Sequence, residues 1–154
     1  MGTEIISIIE EVKVREVNYV ESVNDLIGIA SSIFANNVNH SKQIKKSLIE
    51  REMKSSTYLK GFNMMLLHCK DENITSCKFG VVRLKEKLIE NNKEIDYAIV
   101  SLIPEKNTQT QINIMSYING EIIEKESFRE SIKKSIEEEL TYIVEKVLGD
   151  LYRK

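Results

Sequence analysis

His68 is the residue whose type and position are best suited to chemistry. It follows the apolar residues 64–67 and precedes the polar residues 70–73, so an imidazole stands at the end of a predicted strand. Strand ends in open α/β sheets face a crevice where ligands and catalytic groups gather. A neutral imidazole is well populated near neutral pH and can attack phosphorus as a nucleophile. A histidine held by a nearby carbonyl is the structural alternative, and chain position alone does not decide between them.

A second group suited to phosphate chemistry stands at the end of a predicted helix. Arg51 offers a planar guanidinium, which binds phosphate through paired hydrogen bonds and offsets its charge. Ser56 and Thr57 follow, and hydroxyls and free backbone groups at a helix end can reach an anion. Each residue also has an ordinary explanation. Arg51 can pair with a neighbouring glutamate on a solvated helix, and the hydroxyls can simply end the helix.

The remaining residues that could bind a metal or react do not form a recognisable site. His40 lies in a polar segment between predicted helices, which is typical of a surface or capping residue. The chain has two cysteines, Cys69 and Cys77, and no Cys-x-x-Cys pair, so we expect reduced thiols rather than a disulfide framework or a zinc site. Cys69 is expected to be a small buried neighbour of His68.

Composition excludes several classes of protein. The 154 residues include 22 Lys and Arg against 24 Asp and Glu, so the formal net charge of −2 lacks the basic character of a nucleic-acid-binding domain. No apolar run reaches the ~20 residues that a membrane helix needs, and no signal segment is recognisable at the N-terminus. We therefore expect a cytoplasmic protein with no membrane insertion and no direct contact with nucleic acid.

Helices and strands alternate along the chain as in an α/β domain. Helices are expected over residues 3–10, from Ser22 to Asn36-Asn37, from Ser41 to about residue 55, from about Ile112 to Asn119-Gly120, and from a capping box at Ser135 and Glu138 onward. Strands are expected at residues 12–17, 62–69, 78–84 and 95–103. The last three are rich in apolar residues, which is typical of central strands covered on both faces. With no linker or repeat, residues 1–154 are expected to form one domain.

Taken together, these residues resemble the signature of type 2 EIIA domains of the bacterial sugar phosphotransferase system (PTS), which include the mannitol- and fructose-type phosphocarriers. In that family an Arg-Glu pair closes a helix, a Ser-Thr pair follows, and a glycine precedes a strand that ends in the phosphorylated histidine. The corresponding residues here are Arg51-Glu52, Ser56-Thr57, Gly61 and His68. The resemblance covers residues 12–154, and Leu102-Ile103-Pro104-Glu105 matches a later strand-to-loop segment of the family.

One subgroup is more similar than the transport components. Leu66-Leu67-His68-Cys69, followed by residues 79–84, resembles the EIIA-like domains at the C-terminus of transcriptional regulators with PTS regulation domains (PRDs). Transport components instead have proline before the histidine, and often a second histidine in the helix after the Pro104-type loop. Here no histidine follows His68, and Gln109 or Gln111 stands near that position. A glutamine can donate a hydrogen bond but cannot carry a proton, which favours phosphoryl uptake over rapid onward donation.

The resemblance implies a mixed β-sheet sandwiched between helices, the EIIA mannitol-type phosphotransferase/anion-transport-like fold. It implies reversible phosphorylation of His68 on the outer ring nitrogen by HPr or through an EIIB component, with no metal or organic cofactor. Arg51 would neutralise the phosphoryl group, and Thr57 and Gln111 are candidates for phosphate contacts.

Three hypotheses about function follow. The first is a sensory domain that shares a parent chain with PRD and DNA-binding domains. The second is a free EIIA transport component that passes phosphate to a sugar-specific EIIB. The third is a degenerate interaction module that is never phosphorylated.

Overall fold

A computed structural model of the protein describes residues 9–152. Its strands are β1 (Ile9–Val17), β2 (Tyr58–Leu59), β3 (Met64–Asp71), β4 (Cys77–Glu90) and β5 (Lys93–Pro104). Its helices are α1 (Val23–Ser32), α2 (Val38–Lys54), α3 (Gln109–Glu124), α4 (Glu126–Lys134) and α5 (Leu140–Tyr152), with a 3₁₀ turn at Glu137–Glu139.

The strands form one mixed sheet in the spatial order β1-β4-β5-β3-β2. β3 is parallel to β5, with His68 opposite Ser101, and β4 and β5 form an antiparallel hairpin. The hairpin turns at Asn91 and Asn92, both with positive φ, a conformation that asparagine tolerates better than most residues. The expected α/β architecture, a mixed sheet between helices, is confirmed.

Residues alternate between two cores along the strands because successive strand side chains point to opposite faces. On β3, Met65 and Leu67 pack against the α1 and α2 face, whereas Met64 packs against the face covered by α3 and α5. The apolar strands therefore contribute to both cores, as expected for strands covered on both sides. Among the described residues, no helix combines the length and apolar character needed to cross a membrane.

The edge of the sheet beside β3 is the feature that builds the site. β2 has only two residues, which pair with Met65 and Met64, so the second half of β3 has no neighbouring strand on that side. The backbone of Thr57 continues the pairing by one step, since its carbonyl accepts from the N–H of Leu66 at 3.2 Å. The C-terminal end of α2, three residues before Thr57, is thereby brought beside the free half of β3.

Several expected boundaries differ from the structure. The helix expected over residues 3–10 lies outside the described residues except for Ile9 and Glu10, which begin β1. The second helix begins at Val38 rather than Ser41, with Asn37 as its cap. The helix expected to end at Asn119-Gly120 runs on to Glu124.

The capping box predicted at Ser135 and Glu138 does not form. The Ser135 hydroxyl accepts from the buried guanidinium of Arg83 at 2.9 Å, and the 3₁₀ turn that follows has no side-chain cap. Arg83 also pairs with Glu16 and donates to the Ile132 carbonyl. The Ser135 hydroxyl is therefore bound to an arginine of the sheet rather than to the backbone of the helix that follows. The Ser22 cap of α1 is confirmed, because its hydroxyl accepts from the N–H of Asp25.

Candidate functional site

His68 is half-buried near the end of β3, on the half of the strand that pairs with β5 but has no neighbouring strand on its other edge. Its Nδ1 lies 2.9 Å from the carbonyl oxygen of Leu66, two residues back on the same strand. That carbonyl belongs to the free edge, and it can only accept a hydrogen bond. The strand thus holds its own histidine against its backbone and turns the other ring nitrogen outward.

The contact with Arg51 shows that the outer nitrogen, Nε2, carries no proton. The Nε of Arg51 lies 3.1 Å from Nε2 of His68, and a guanidinium nitrogen only donates. Nε2 is therefore the acceptor, and the ring proton resides on Nδ1, where it is donated to Leu66. In this arrangement the imidazole is neutral, and the lone pair of Nε2 points at the Arg51 guanidinium.

Arg51 is held in place by the end of its own helix. One terminal nitrogen, Nη1, donates to the Ser55 carbonyl at 3.0 Å, which leaves Nε free to face His68. The neighbouring Glu52 accepts the N–H of Thr57 at 2.9 Å and its hydroxyl at 2.6 Å. This Glu52–Thr57 pair ties the end of α2 to the strand edge, so the arginine lies on a fixed support.

A cavity of about 450 Å³ opens beside the histidine. Its lining residues are Ser47, Glu50, Arg51, Lys54, His68, Cys69, Lys70 and Ile103. Cys69 and Ile103 are buried and apolar, whereas the charged residues are three cations and one carboxylate. A cavity with an apolar floor and an excess of positive charge suits a small anion.

The rim of the cavity is joined to the end of β3 through Asp71. The Asp71 carboxylate accepts the hydroxyl of Ser47, which lies one helical turn before Arg51. The other oxygen of Asp71 accepts the N–H of Asn73 at 2.7 Å and so shapes the turn that follows the strand. α2 is therefore fixed to β3 on both sides of Arg51, by Ser47 before it and by Glu52 after it.

Neither of the two predicted phosphate contacts, Thr57 and Gln111, lines this cavity. Thr57 is buried, its hydroxyl donates a hydrogen bond to Glu52, and it does not line the cavity. Gln111 caps α3: its Oε1 accepts the N–H of Thr108, whose hydroxyl accepts the N–H of Gln111 in return. The structure brings Arg51 to His68 but gives both other residues structural partners.

Cys69 and His40, which lie near the site, have contacts that explain them as structural residues. Burial, with a smaller effect from Asp71, raises the pKa of the Cys69 thiol to about 12, so it stays protonated at neutral pH. His40 accepts the N–H of Asn36 on Nδ1, and its Nε2 lies 3.0 Å from the carbonyl of Asn73. It thus links the start of α2 to the turn after β3, and no described group of His, Cys, Asp and Glu residues is placed to hold a metal ion.

Among the cavity-lining residues that sequence reasoning missed are Ser47, Lys54 and Lys70. Helical spacing was a usable signal, because residues three and four positions from Arg51 share its face. For Lys70 the signal was the two-residue spacing from His68 along a strand, which places both side chains on one face.

Solved structures of similar fold agree with this architecture. The nitrogen regulatory protein IIA-Ntr of Neisseria meningitidis matches with a TM-score of 0.71 at 20% identity, over 88% of this chain and 92% of that one. The PTS IIA protein PtxA of Streptococcus mutans gives 0.65 at 15% identity, over 90% of each chain. The mannitol IIA of Escherichia coli gives 0.58 at 16% identity, over 96% of this chain and 98% of that one. At these identities the likeness shows the fold.

Sequence comparison supplies the family. No match to the chain was found among curated protein sequences. The sequence model described as "Phosphoenolpyruvate-dependent sugar phosphotransferase system, EIIA 2" matches residues 7–147, which is most of the chain and includes both Arg51 and His68. The chain belongs to the type 2 EIIA family of the phosphoenolpyruvate-dependent sugar phosphotransferase system.

Proposed function

We propose that this EIIA domain is a histidine phosphoacceptor that takes a phosphoryl group on Nε2 of His68, from HPr directly or through an EIIB component. One observation carries the proposal. The His68 ring is fixed by the Leu66 carbonyl at Nδ1, while its Nε2 faces the Arg51 guanidinium at 3.1 Å beside an open cavity. A neutral, oriented imidazole next to a cation is what a nucleophile for phosphorus requires.

In the proposed transfer, the lone pair on Nε2 attacks phosphorus in line with the bond to the donor atom. The new N–P bond forms as the old bond breaks, and the donor keeps that electron pair. No proton has to leave His68, because its ring proton is already on Nδ1, toward Leu66. Arg51 loses its acceptor on Nε2 in this step, and its Nε–H turns to a phosphoryl oxygen as negative charge builds up there.

The proposed phosphorylation is reversible. The phosphoryl oxygens carry about −1.5 to −2 charges, while the ring, still protonated on Nδ1, carries positive charge that the Leu66 carbonyl accommodates. A protonated ring is a good leaving group, so the phosphoryl group remains transferable. Reversible phosphorylation therefore needs no rearrangement of the strand.

Labelled phosphoenolpyruvate, enzyme I and HPr test the phosphoacceptor role directly. We expect the wild-type chain to take up label and the His68→Ala variant to take up none. The chain contains one other histidine, His40, so His40→Gln is the matched control and should keep its label. An unlabelled wild type, or label that survives in His68→Ala, would rule out this function.

We further propose that the domain, taken as one unit over residues 1–154, is the regulatory EIIA-like domain of a cytoplasmic, PRD-containing transcriptional regulator of carbohydrate genes. Leu66-Leu67-His68-Cys69, with leucine before the histidine, supports this setting, as does the lack of any histidine after His68. The PRD and DNA-binding domains of the same parent chain would then be its partners, and the charge on His68 would report sugar supply. Direct contact with nucleic acid would belong to another domain, in keeping with the net charge of −2.

Discharge of the phosphorylated chain separates this setting from a transport component. A free EIIA should pass its label to one member of a panel of sugar-specific EIIB proteins. A sensory domain should receive label and keep it when the same panel is added. Transfer to one EIIB at a rate comparable with uptake from HPr would favour transport over regulation.

A further inference from the structure

The oxygens of a phosphoryl group on His68 need more donors than Arg51 can supply. A guanidinium fork contacts two oxygens at most, and one terminal nitrogen of Arg51 is already occupied by the Ser55 carbonyl. The third oxygen of the group is then left for water or for another side chain of the cavity. Gln111, which sequence position suggested for this purpose, does not line the cavity beside His68, and its side chain caps α3.

Lys70 is placed to supply that partner. It lies two residues after His68 on β3, so both side chains leave the same face of the strand, about 7 Å apart along it. Lys70 lines the cavity beside His68 and is exposed, so its flexible ammonium has room to move toward the ring. Within residues 9–152, no carboxylate or other side chain engages it.

Lys54 provides a second cation on the opposite wall. It is the last residue of α2 and lies three positions after Arg51, which places both on one helix face. It also lines the cavity and has no ion-pair partner in the described part of the chain. The carboxylate of Glu50, also in the lining, leaves the cavity with an excess of cations before any anion enters.

We propose that Lys70, supported by Lys54, is the second phosphate-binding cation of this site, in the role that the family's transport members often give to a second histidine. This inference rests on the proposed phosphorylation of His68. An ammonium is a point charge with three rotatable donors, so it can follow the phosphoryl group without the fixed geometry of a guanidinium. It adds charge and hydrogen bonds but carries no proton for the transfer.

The phosphorylation equilibrium between HPr and the full chain tests the role of Lys70. The equilibrium constant does not depend on how the two proteins dock, so it reports the phosphorylated site alone. We expect Lys70→Gln to shift the equilibrium about three- to tenfold toward phospho-HPr, as for loss of one partly exposed charged contact. Lys70→Arg should restore most of the shift, and added salt should reduce the difference between wild type and Lys70→Gln.

Lys60→Gln is the matched control. It removes the same charge from an exposed lysine at the other end of β3, before the strand begins. If the wild-type chain takes up label and the equilibrium constants of Lys70→Gln and Lys60→Gln are equal, the proposed role of Lys70 is overturned. The phosphoacceptor function would still stand. A wild-type chain that takes up no label would remove the proposed function itself.

Discussion

At the scale of single residues, the chemistry depends on which nitrogen of His68 carries the proton. Two hydrogen bonds settle this, one to the Leu66 carbonyl at 2.9 Å and one from the Arg51 Nε at 3.1 Å. The first requires a donor at Nδ1 and the second an acceptor at Nε2. In the proposed reaction, Arg51 would therefore act before any phosphate arrives, by stabilising the tautomer that can react, and again afterwards by binding the product.

Substitution of Arg51 should separate the contribution of its charge from that of its shape. We expect Arg51→Gln to slow phosphorylation by HPr about 10²-fold, a loss typical of one preorganised donor to a developing negative charge. Arg51→Lys should slow phosphorylation less, because it keeps the positive charge. It should still be slower than the wild type, because an ammonium cannot bind both Ser55 and His68 through a rigid fork. Single-turnover rates with phospho-HPr would measure both effects.

Arg15→Gln is the control for these rates, since Arg15 is an exposed arginine on β1. A wild-type rate in Arg51→Lys would mean that charge alone matters at this position. A wild-type rate in Arg51→Gln would contradict the role given to the guanidinium.

The sequence indicates both members of this pair but not their contact. His68 stands out by itself, as a polar residue that ends an apolar strand. Arg51 does not, because a charged residue on a helix usually faces solvent, and 17 positions separate it from His68. Only the resemblance to a family joined them. The proton position and the cationic lining are set by atoms that meet across the fold, so no local pattern encodes them.

At the scale of elements, the end of α2 and the edge of β3 form one unit, held by Glu52 and Thr57. Loss of the Thr57 hydroxyl removes a 2.6 Å hydrogen bond to a carboxylate. We expect Thr57→Val to lower the free energy of unfolding by about 1.5 kcal/mol, the low end for a hydrogen bond to a charged group. Thr57→Ser, which keeps the donor, should lose less, and urea unfolding would measure both.

The same variants test whether Thr57 contacts the phosphoryl group. If its hydroxyl only ties α2 to the strand edge, Thr57→Val loses stability while the phosphorylation equilibrium with HPr stays near that of the wild type. A shifted equilibrium with unchanged stability would instead support the phosphate contact that the sequence suggested. Thr141→Val, at an exposed threonine of α5, controls for the substitution itself.

Elements with strong local patterns were predicted well, and elements fixed by distant contacts were not. The apolar strands and the Ser22 cap follow from their own residues. α4, which was not predicted, has few apolar residues. It is stabilised by contacts with distant residues, since its Arg129 stacks on the Phe62 ring with 3.9 Å between the guanidinium carbon and the ring centroid. The expected capping box failed for the same reason, because Arg83 of β4 takes the Ser135 hydroxyl.

At the scale of the whole molecule, the sheet separates two hydrophobic cores, and the candidate site lies at the edge of the sheet rather than in either core. The face covered by α3 and α5 buries Tyr97, whose hydroxyl has no hydrogen-bond partner within the described structure. Burial raises the pKa of Tyr97 from an ordinary 10.0 to about 12, with Arg129 opposing the effect and Glu130 and Asp96 adding to it. Burial likewise raises the pKa of Cys77 to about 11, with a smaller contribution from Glu10.

These raised pKa values predict loss of stability in alkali. Below pH 10 both the folded and the unfolded chain keep the Tyr97 proton, so its contribution is fully present. Between pH 10 and about 12 the unfolded chain releases that proton while the folded chain retains it. Unfolding is then favoured, and the free energy of unfolding falls by up to about 1.4 kcal/mol per pH unit for this group.

Tyr97→Phe should reveal the contribution of Tyr97 to the pH dependence of stability, because it removes the ionisable group and keeps the ring. At pH 7 the variant should be as stable as the wild type or more stable by about 1 kcal/mol, since an unpaired buried hydroxyl is lost. As pH rises above 10, its stability should fall less steeply than that of the wild type in urea unfolding. Tyr142→Phe, at an exposed tyrosine of α5, is the control. Parallel curves for wild type and Tyr97→Phe up to pH 11 would mean that the buried hydroxyl has no part in alkaline unfolding.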